Sequence, residues 1–538
     1  MDKMCCHWDS KDKMGTPQPT QPIAILGLMR NLRRFPPTKV LKAPTSSAVM
    51  VGDGPFGSGM NACRPSLDLD ILLSVMPWIA SRKDVFSFML ACKILYLSGI
   101  PIYLSFKNTI SDANVGSFYS FLRRYVPFSF SALRHLVFYI TQNLDGVVSM
   151  LTDILKRGQN IQYILIHGHT LDKDFAIYRA IDALPALKTL DISNCYDDPE
   201  YQPGMLFQLR SPLTQVAIGR PGYPGHGNSL AVLAHSAQTL QKATLYLGLY
   251  SLPFTASRLT DLSLTSATIP ELSVLLPAFP QLQYLLLEFS GRCSEAQEPE
   301  VRENNIRFQR EHPDQRWTLK SLSGDCRSLY LLGLQTRVPT VKLTGAIIDE
   351  KTPWFPYRNL GNMDLRISQL RLSLELLRPL QLSFANLHNA PTSNLCLLFG
   401  VTWNDRPGLV RLDFVFAFDH RNSCEYEAQL DAMFSRLEYI SRSNPRLTVL
   451  SLRFDDTNTL PDSDTSLLNE YIGGLGTRML MERALDAIPT LELFVFEKEY
   501  WMIAKQNITL YSSGEMGETA DSIADKIVDR LSKGVPPG

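Results

Sequence analysis

His167, Gly168 and His169 come nearest to chemistry in this chain of 538 residues. One intervening residue on an extended backbone puts both imidazoles on the same side, as a metal pair requires. No Asp or Glu ligand is fixed beside them by spacing, so the pair reads as the polar end of a strand. Cys5, Cys6 and His7 offer three ligands in a row and no second cluster follows, whereas a structural zinc site takes four. The glycines between Gly219 and Gly227 suit a loop whose turns need them more than a phosphate cradle. Neither a GxSxG elbow, a Walker-type phosphate loop nor an HExxH helix occurs. Cys92 and Cys195 fall at apolar pattern positions and are expected to be buried, where a thiol is inert. The chain therefore reads as non-enzymatic, with no catalytic residues, no cofactor and no metal.

Binding has to be sought instead, and composition bounds it. Lys+Arg and Asp+Glu both number 53, which argues against a nucleic-acid partner or an anionic membrane surface. No apolar run approaches the ~20 residues of a membrane helix, and no signal peptide is evident. Nine cysteines, an odd number without CxxC spacing, fit reduced thiols in the cytoplasm or nucleus. Residues 1–64 are rich in Pro, Gly and Ser, lack sustained periodicity and read as a disordered basic tail.

Residues 65–107 are the first patterned stretch. Leu69, Leu72, Leu73 and Met76 recur at helical spacing until Pro77 and Trp78 interrupt them. Ser81 is placed to cap a second helix with Asp84 in its first turn. Val85, Phe88, Met89, Cys92, Leu95 and Tyr96 then follow a period near 3.6, and Gly99 with Pro101 is expected to end the run. Some forty residues are too few to bury this much apolar surface alone, so part of it must meet the rest of the chain or another protein.

The order of these elements resembles the F-box, in the form common in large fungal F-box proteins. The matching residues are the Met76-Pro77 break, Ser81-Arg82-Lys83-Asp84-Val85, Leu90-Ala91-Cys92-Lys93-Ile94-Leu95-Tyr96 and Ile100-Pro101-Ile102-Tyr103. The resemblance implies binding of a Skp-type adaptor, and through it a cullin-based ubiquitin ligase. Its contacts would come from Leu69, Leu72, Leu73, Met76, Pro77, Val85, Phe88, Met89, Cys92 and Leu95. Where the family opens with Leu-Pro and a Glu two residues on, this chain has Ser66-Leu67-Asp68-Leu69-Asp70. The contact is therefore expected to rest mainly on Val85 to Tyr96.

From residue 108 to 504 one pattern repeats: an apolar residue, two variable, an apolar, one variable, an apolar. It is read at Leu133, Leu136, Phe138; Ile161, Ile164, Ile166; Leu187, Leu190, Ile192; Leu213, Val216, Ile218; and, in degenerate form, Leu240, Ala243, Leu245. Further copies start at Leu259, Leu282, Leu329, Leu377, Leu409, Leu447 and Leu491. The first five starts lie 26 to 28 residues apart, enough for a strand and a helix per turn. Amphipathic helices are expected between them, at Val147–Lys156, Phe175–Leu184, Leu230–Ala237, Ile269–Phe279, Tyr426–Ser441 and Thr477–Ile488. Prolines such as Pro185, Pro280, Pro445 and Pro489 mark the turn back into the sheet.

The pattern resembles the leucine-rich repeat family over residues 130–500. The expected fold is α/β: a short all-helical F-box, then a curved solenoid with parallel strands on the inner face and helices outside. The family's Asn or Cys after the third apolar position is matched by Cys195 alone among most copies, which argues against a regular side-chain ladder. Residues 290–318, dense in charge, are expected to be an exposed, solvated insertion, and 344–368 a second insertion containing Trp354, Phe355 and Tyr357. Residues 505–538 are expected to be a tail with a short acidic helix.

Side chains between the repeated apolar positions point to the opposite, inner face. The candidates there for holding a protein substrate are Tyr163, His167, Asp191, Tyr246, Asp261, Tyr284, Glu288, Arg411 and Arg453. Tyrosines with mixed charge suit protein recognition. The sequence thus points to the substrate receptor of a Skp-cullin-F-box ligase, or alternatively to a non-catalytic repeat scaffold whose helical hairpin only caps the array.

Overall fold

The structure is a computed structural model of the chain. It describes residues 69–533 outside Pro127, short stretches within 432–445, and the segments 141–144, 170–175, 197–210, 219–230, 248–253, 267–270, 290–292, 345–362, 388–408, 418–429, 456–475, 497–498, 505–506 and 513–519. The expected tail at 1–64 and the aromatics Trp354, Phe355 and Tyr357 lie outside these residues. The chain divides into two units, Met1–Gly99 and Ile100–Gly538.

In the first unit, helix α1 (Leu69–Val75) runs into a 3-10 turn at Met76–Trp78, followed by α2 (Arg82–Met89); α3 (Lys93–Ser105) begins there, and its residues from Ile100 on belong to the second. Ser81 caps α2 as its type predicts, its Oγ accepting from the Asp84 N–H at 3.4 Å. Contrary to expectation, α3 runs on through Gly99 and Pro101. Gly99 serves packing here: a Cβ added to it would stand 2.3 Å from Met89 Cγ and 3.3 Å from Met76 Sδ.

In the second unit, β1 (Lys107–Ser111), α4 (Val115–Arg124), α5 (Phe128–Ala132), β2 (His135–Ile140), α6 (Asp145–Arg157), β3 (Tyr163–His169), α7 (Ala176–Asp182) and β4 (Thr189–Tyr196) begin an alternation. It continues through β5 (Gln215–Ile218), β6 (Lys242–Leu247), β7 (Asp261–Ser266), α8 (Leu272–Ala278), β8 (Tyr284–Phe289), α9 (Glu298–Glu311), β9 (Ser321–Gly324) and α10 (Cys326–Leu332). Then come β10 (Thr340–Thr344), α11 (Met363–Leu377), β11 (Gln381–Leu387), β12 (Arg411–Ala417), β13 (Val449–Asp455), α12 (Thr477–Ala487) and β14 (Leu493–Phe496). The chain closes with β15 (Glu499–Ala504), β16 (Asn507–Ser512) and α13 (Ala520–Ser532). The sixteen strands of the described residues form one sheet in sequence order. Every pair from β1 to β14 is parallel, and β15 and β16 are antiparallel. This is the order of a repeat solenoid, in which each turn adds one strand beside the last.

The repeated apolar positions align in columns. Leu136, Ile164, Leu190, Val216, Ala243, Leu262, Leu285, Leu322, Val341, Leu382, Leu412, Leu450 and Phe494 occupy one register, each exposed by 3% or less. A backbone device holds that register. Ahead of most strands, one carbonyl accepts two N–H groups from the next turn: Arg134 from Gln162 and Tyr163, Gln162 from Lys188 and Thr189, Thr214 from Gln241 and Lys242, and on to Thr448 from Glu492 and Leu493.

Three readings of the sequence change. Leu329 and Leu332 lie in helix α10 rather than a strand; β9 and β10 carry that part of the sheet, with Leu322 and Val341 in the column. Gly324 stands where other strands place Leu, Ile or Phe, and a Cβ there would come within 2.5 Å of the Leu287 carbonyl oxygen. The copy at Leu377, Leu380 and Leu382 is shifted by two residues, since Leu382 and Phe384 align with Leu412 and Phe414. Residues 505–538 are more than a tail: β16 extends the sheet, and α13 packs Ile523, Ala524, Ile527 and Leu531 on Val410, Val449, Leu493 and Val495.

The charged segment 290–318 is also not a solvated loop. It forms α9, whose inward stripe is polar: Glu298, Arg302, Asn305 and Gln309 are buried. These side chains satisfy backbone groups of neighbouring helices. Arg302 donates to the Tyr330 carbonyl at 2.9 Å, Asn305 accepts from the Leu272 N–H at 2.9 Å and donates to the Leu331 carbonyl at 2.8 Å, and Gln309 donates to the Gly333 carbonyl at 2.9 Å. The fully buried Glu298 accepts from Arg327 at 2.6 Å, Arg366 at 2.7 Å and Gln369 at 2.6 Å, joining α9 to α10 and α11. Burial alone would raise its pKa; the bonds from Arg366 and Gln369 and the two guanidinium charges outweigh this and hold the carboxyl below its ordinary value.

Removing this carboxylate leaves two cations facing one another, a loss of about 3 kcal/mol. Glu298→Gln is expected to lower stability by that amount at neutral pH in denaturant unfolding. Because the folded pKa is depressed, the contribution is complete above the unfolded value of about 4.3 and is lost as pH falls through the folded one. The gap between wild type and variant should begin to narrow below about pH 4 and close only once pH has fallen past the folded pKa.

Candidate functional site

Two surfaces carry the residues singled out by sequence. On the helical unit, the set of predicted adaptor contacts divides. Met76, Val85, Met89 and Leu95 are the unit's interior, while Leu69, Leu72, Leu73 and Phe88 are half-buried and Pro77 and Cys92 are exposed. Cys92 therefore departs from the expectation of burial, and the side chain of Cys195 lies outside the described residues. The apolar residues that do face outward are others: Ile71, Val75, Trp78, Leu90, Ile94 and Leu97. Ile71 and Val75 are one turn apart on α1, Ile94 and Leu97 on α3, so each pair shares a helix face. Trp78 is 85% exposed.

On the array, the face opposite the apolar columns is the second surface. Tyr163, His167, Asp191, Asp261 and Glu288 are half-buried there, and Tyr284 is exposed. Tyr246 lies on β6 in the same alternation, and its side chain lies outside the described residues. Parallel register brings like positions together. The Tyr139 and His167 rings stack at 4.8 Å and 14°, and His135 lies 6.0 Å from Tyr163. Burial, and then the charge of Asp191, pushes the Tyr163 phenol above its ordinary pKa, so it stays a neutral donor. Farther along, Lys242, Thr244, Asp261, Ser263, Tyr284 and Ser323 line a shallow depression of about 210 Å³, and the Lys320 ammonium sits 5.9 Å from the Tyr284 ring centre. Tyr139 and His135 escaped sequence reasoning although they occupy the same alternation on β2.

Arg411 and Arg453 belong to this face but not to its open part. Arg411 is 5% exposed, and its guanidinium is held by Asp413 at 2.8 Å, by Asp521 at 2.7 Å and by Asp525 at 3.3 Å. Arg453 bonds Asp521 at 2.8 Å. Helix α13 of the same chain thus occupies the positions expected to meet a substrate. Among the described residues, no three His, Cys, Asp or Glu side chains gather as a metal site would require, and no helix is long and apolar enough to cross a membrane.

No family model and no curated protein matches the chain. Among solved structures it is similar to a chain of the TLR13–ssRNA13 complex, at 15% identity and TM-score 0.29, covering 69% of this chain and 46% of that one. It is also similar to a chain of the Rad7 and Elc1 complex in yeast, at 14% identity and TM-score 0.27, covering 73% of this chain and 94% of that one. The chain spans less than half the length of the first of these. Its own strand order, rather than these likenesses, establishes the repeat architecture.

The division between interior and surface on the helical unit has a direct consequence. Val85→Asp buries a charge and should unfold the unit, read as lost hydrogen-exchange protection over residues 82–89. Leu90→Asp, on the exposed side, should change stability by no more than about 0.5 kcal/mol.

Proposed function

We propose that the chain is the substrate-receptor subunit of a Skp-cullin-F-box ubiquitin ligase. In this reading the helical unit binds a Skp-type adaptor and through it a cullin, while the open strand face of the array holds a protein substrate. The observation that carries it is the outward apolar set of the helical unit. Met76, Val85, Met89 and Leu95 already supply an interior, yet Ile71, Val75, Trp78, Leu90, Ile94 and Leu97 remain in water. Large apolar side chains grouped at a surface mark a site of interaction, and tryptophan is enriched among the residues that anchor protein partners. The resemblance of residues 66–103 to the F-box supplies the class of partner.

On the array, the stacked Tyr139 and His167 and the Tyr284 depression offer rigid aromatic contacts with hydroxyl and charged groups around them. The chain performs no chemistry in this scheme and needs no cofactor. It raises the effective concentration of substrate lysines near the conjugating enzyme. It acts in the cytoplasm or nucleus, with neither nucleic acid nor membrane as partner.

The test is capture of a recombinant Skp-type adaptor by the full chain, wild type against a Trp78→Ala, Ile94→Asp double variant. Loss of one hot spot worth about 2 kcal/mol weakens capture roughly 30-fold, with melting unchanged because both residues are exposed. Equal capture by the two proteins would overturn the adaptor role and leave a scaffold.

A further inference from the structure

The strand face changes character at its C-terminal end. From β12 to β14 it carries Val449, Leu493 and Val495, ringed by Arg411, Arg453 and Glu492, and α13 covers it. The strands do not need this cover for a core of their own. On their other face Leu412, Phe414, Leu450, Leu452, Phe494 and Phe496 are each exposed by 1% or less.

The receptor half of the contact is also assembled without the helix. Gln381 donates to Asp413 at 2.9 Å, and Asp413 in turn holds Arg411 Nε at 2.8 Å. The two terminal nitrogens of Arg411 are thereby aimed at whatever lies above, here Asp521 and Asp525. On the helix side, Asp521 is 50% and Asp525 71% exposed, while the Arg411 side chain they meet is 6% exposed, so lifting the helix returns that guanidinium to water rather than leaving it buried and short of partners. A helix of 13 residues is marginal by itself, so α13 owes its helicity to the surface beneath it.

We propose that this face is a binding site for an acidic amphipathic helix of a partner protein, and that α13 is its exchangeable resident. A partner helix repeating the spacing of Asp521, Ile523, Ala524, Asp525, Ile527 and Leu531 would dock in the same manner, apolar stripe on Val449, Leu493 and Val495 and carboxylates on Arg411 and Arg453. The inference rests on the substrate-receptor reading for its biological role and names the class of substrate, while the binding itself does not depend on it.

Two measurements on the full chain test it. In native-state hydrogen exchange, α13 amides are expected to exchange at least ~10-fold faster than those of β12 and β13, since the helix opens while the strands stay paired. A fluorescent peptide copying residues 519–533 is then titrated onto wild type and onto an Asp521→Lys, Asp525→Lys variant, in which the resident helix is repelled. The variant should bind it at least ~10-fold tighter, because an occupied site lowers apparent affinity by the fraction left open. Adding Arg453→Glu to that variant should weaken binding again. Exchange of α13 in step with β12 and β13, or equal peptide affinity for both chains, overturns the proposal. Neither measurement involves the adaptor, so its failure and that of the adaptor reading are separately visible.

Discussion

A carbonyl that accepts two N–H groups from the following turn is the interaction on which the array depends. Repeated from Arg134 to Thr448, it fixes where each strand begins and therefore which side chains share a column. A one-residue slip would turn every apolar side chain to the solvent side, so register and core are one constraint. The single weak step is instructive: Thr340 alone donates to the Lys320 carbonyl, because its predecessor, Pro339, has no N–H. Yet Pro339 still offers its own carbonyl, which accepts from Leu380 and Gln381, and the ladder continues. Since the ladder is built from main chain, the turns between strands are free to vary. Successive ladder carbonyls are 19 residues apart between Gln241 and Thr260, and 37 apart between Gln283 and Lys320.

That freedom explains what was legible in the sequence. Where a turn keeps three apolar side chains, as at Leu282, Leu285 and Leu287, pattern alone locates the strand, and most turns do. Strand β9 is hidden because Gly324 replaces a column residue to let the backbone of β8 approach. The triplet Leu329, Leu332 and Leu334 misleads because a gap of three serves a helix as well as it serves the repeat. Asn108 hides β1 in another way: it fills a leucine position with an amide that donates to the Leu104 and Phe106 carbonyls, each at 2.7 Å, closing the first edge of the column with hydrogen bonds. Helix α9 was invisible for the opposite reason. Its inward stripe has helical spacing, but in polar residues, and a search for apolar periodicity passes over Glu298, Arg302, Asn305 and Gln309.

The helical unit shows a different limit. Helix α2 spreads Val85, Phe86, Phe88 and Met89, with Leu90 at its cap, over an arc wider than one buried stripe. Period alone cannot choose between an inward and an outward face in such a segment. The choice is made by packing: Gly99 admits Met89 and Met76 to one side, and Leu90 is left on the other. Existence and order of the helices were therefore readable, whereas the side chains available to a partner were not.

The same geometry bears on which secondary structure fits across the strand face. A segment crossing the strands meets a new one about every 4.8 Å. An extended peptide advances ~3.3 Å per residue, and residues on its one side recur at twice that, so it falls out of step with the strands. A helix presents residues three and four apart at intervals of about 4.5 and 6 Å, which bracket the strand spacing. Helix α13, ~20 Å long, covers β12 to β14, three strands that occupy roughly 10 Å, and brings Ala524, Ile527 and Leu531 into one cluster with Val410, Val449 and Leu493. The element that lies on this face in the chain itself, α13, is thus the secondary structure whose period comes close to the spacing of a parallel ladder.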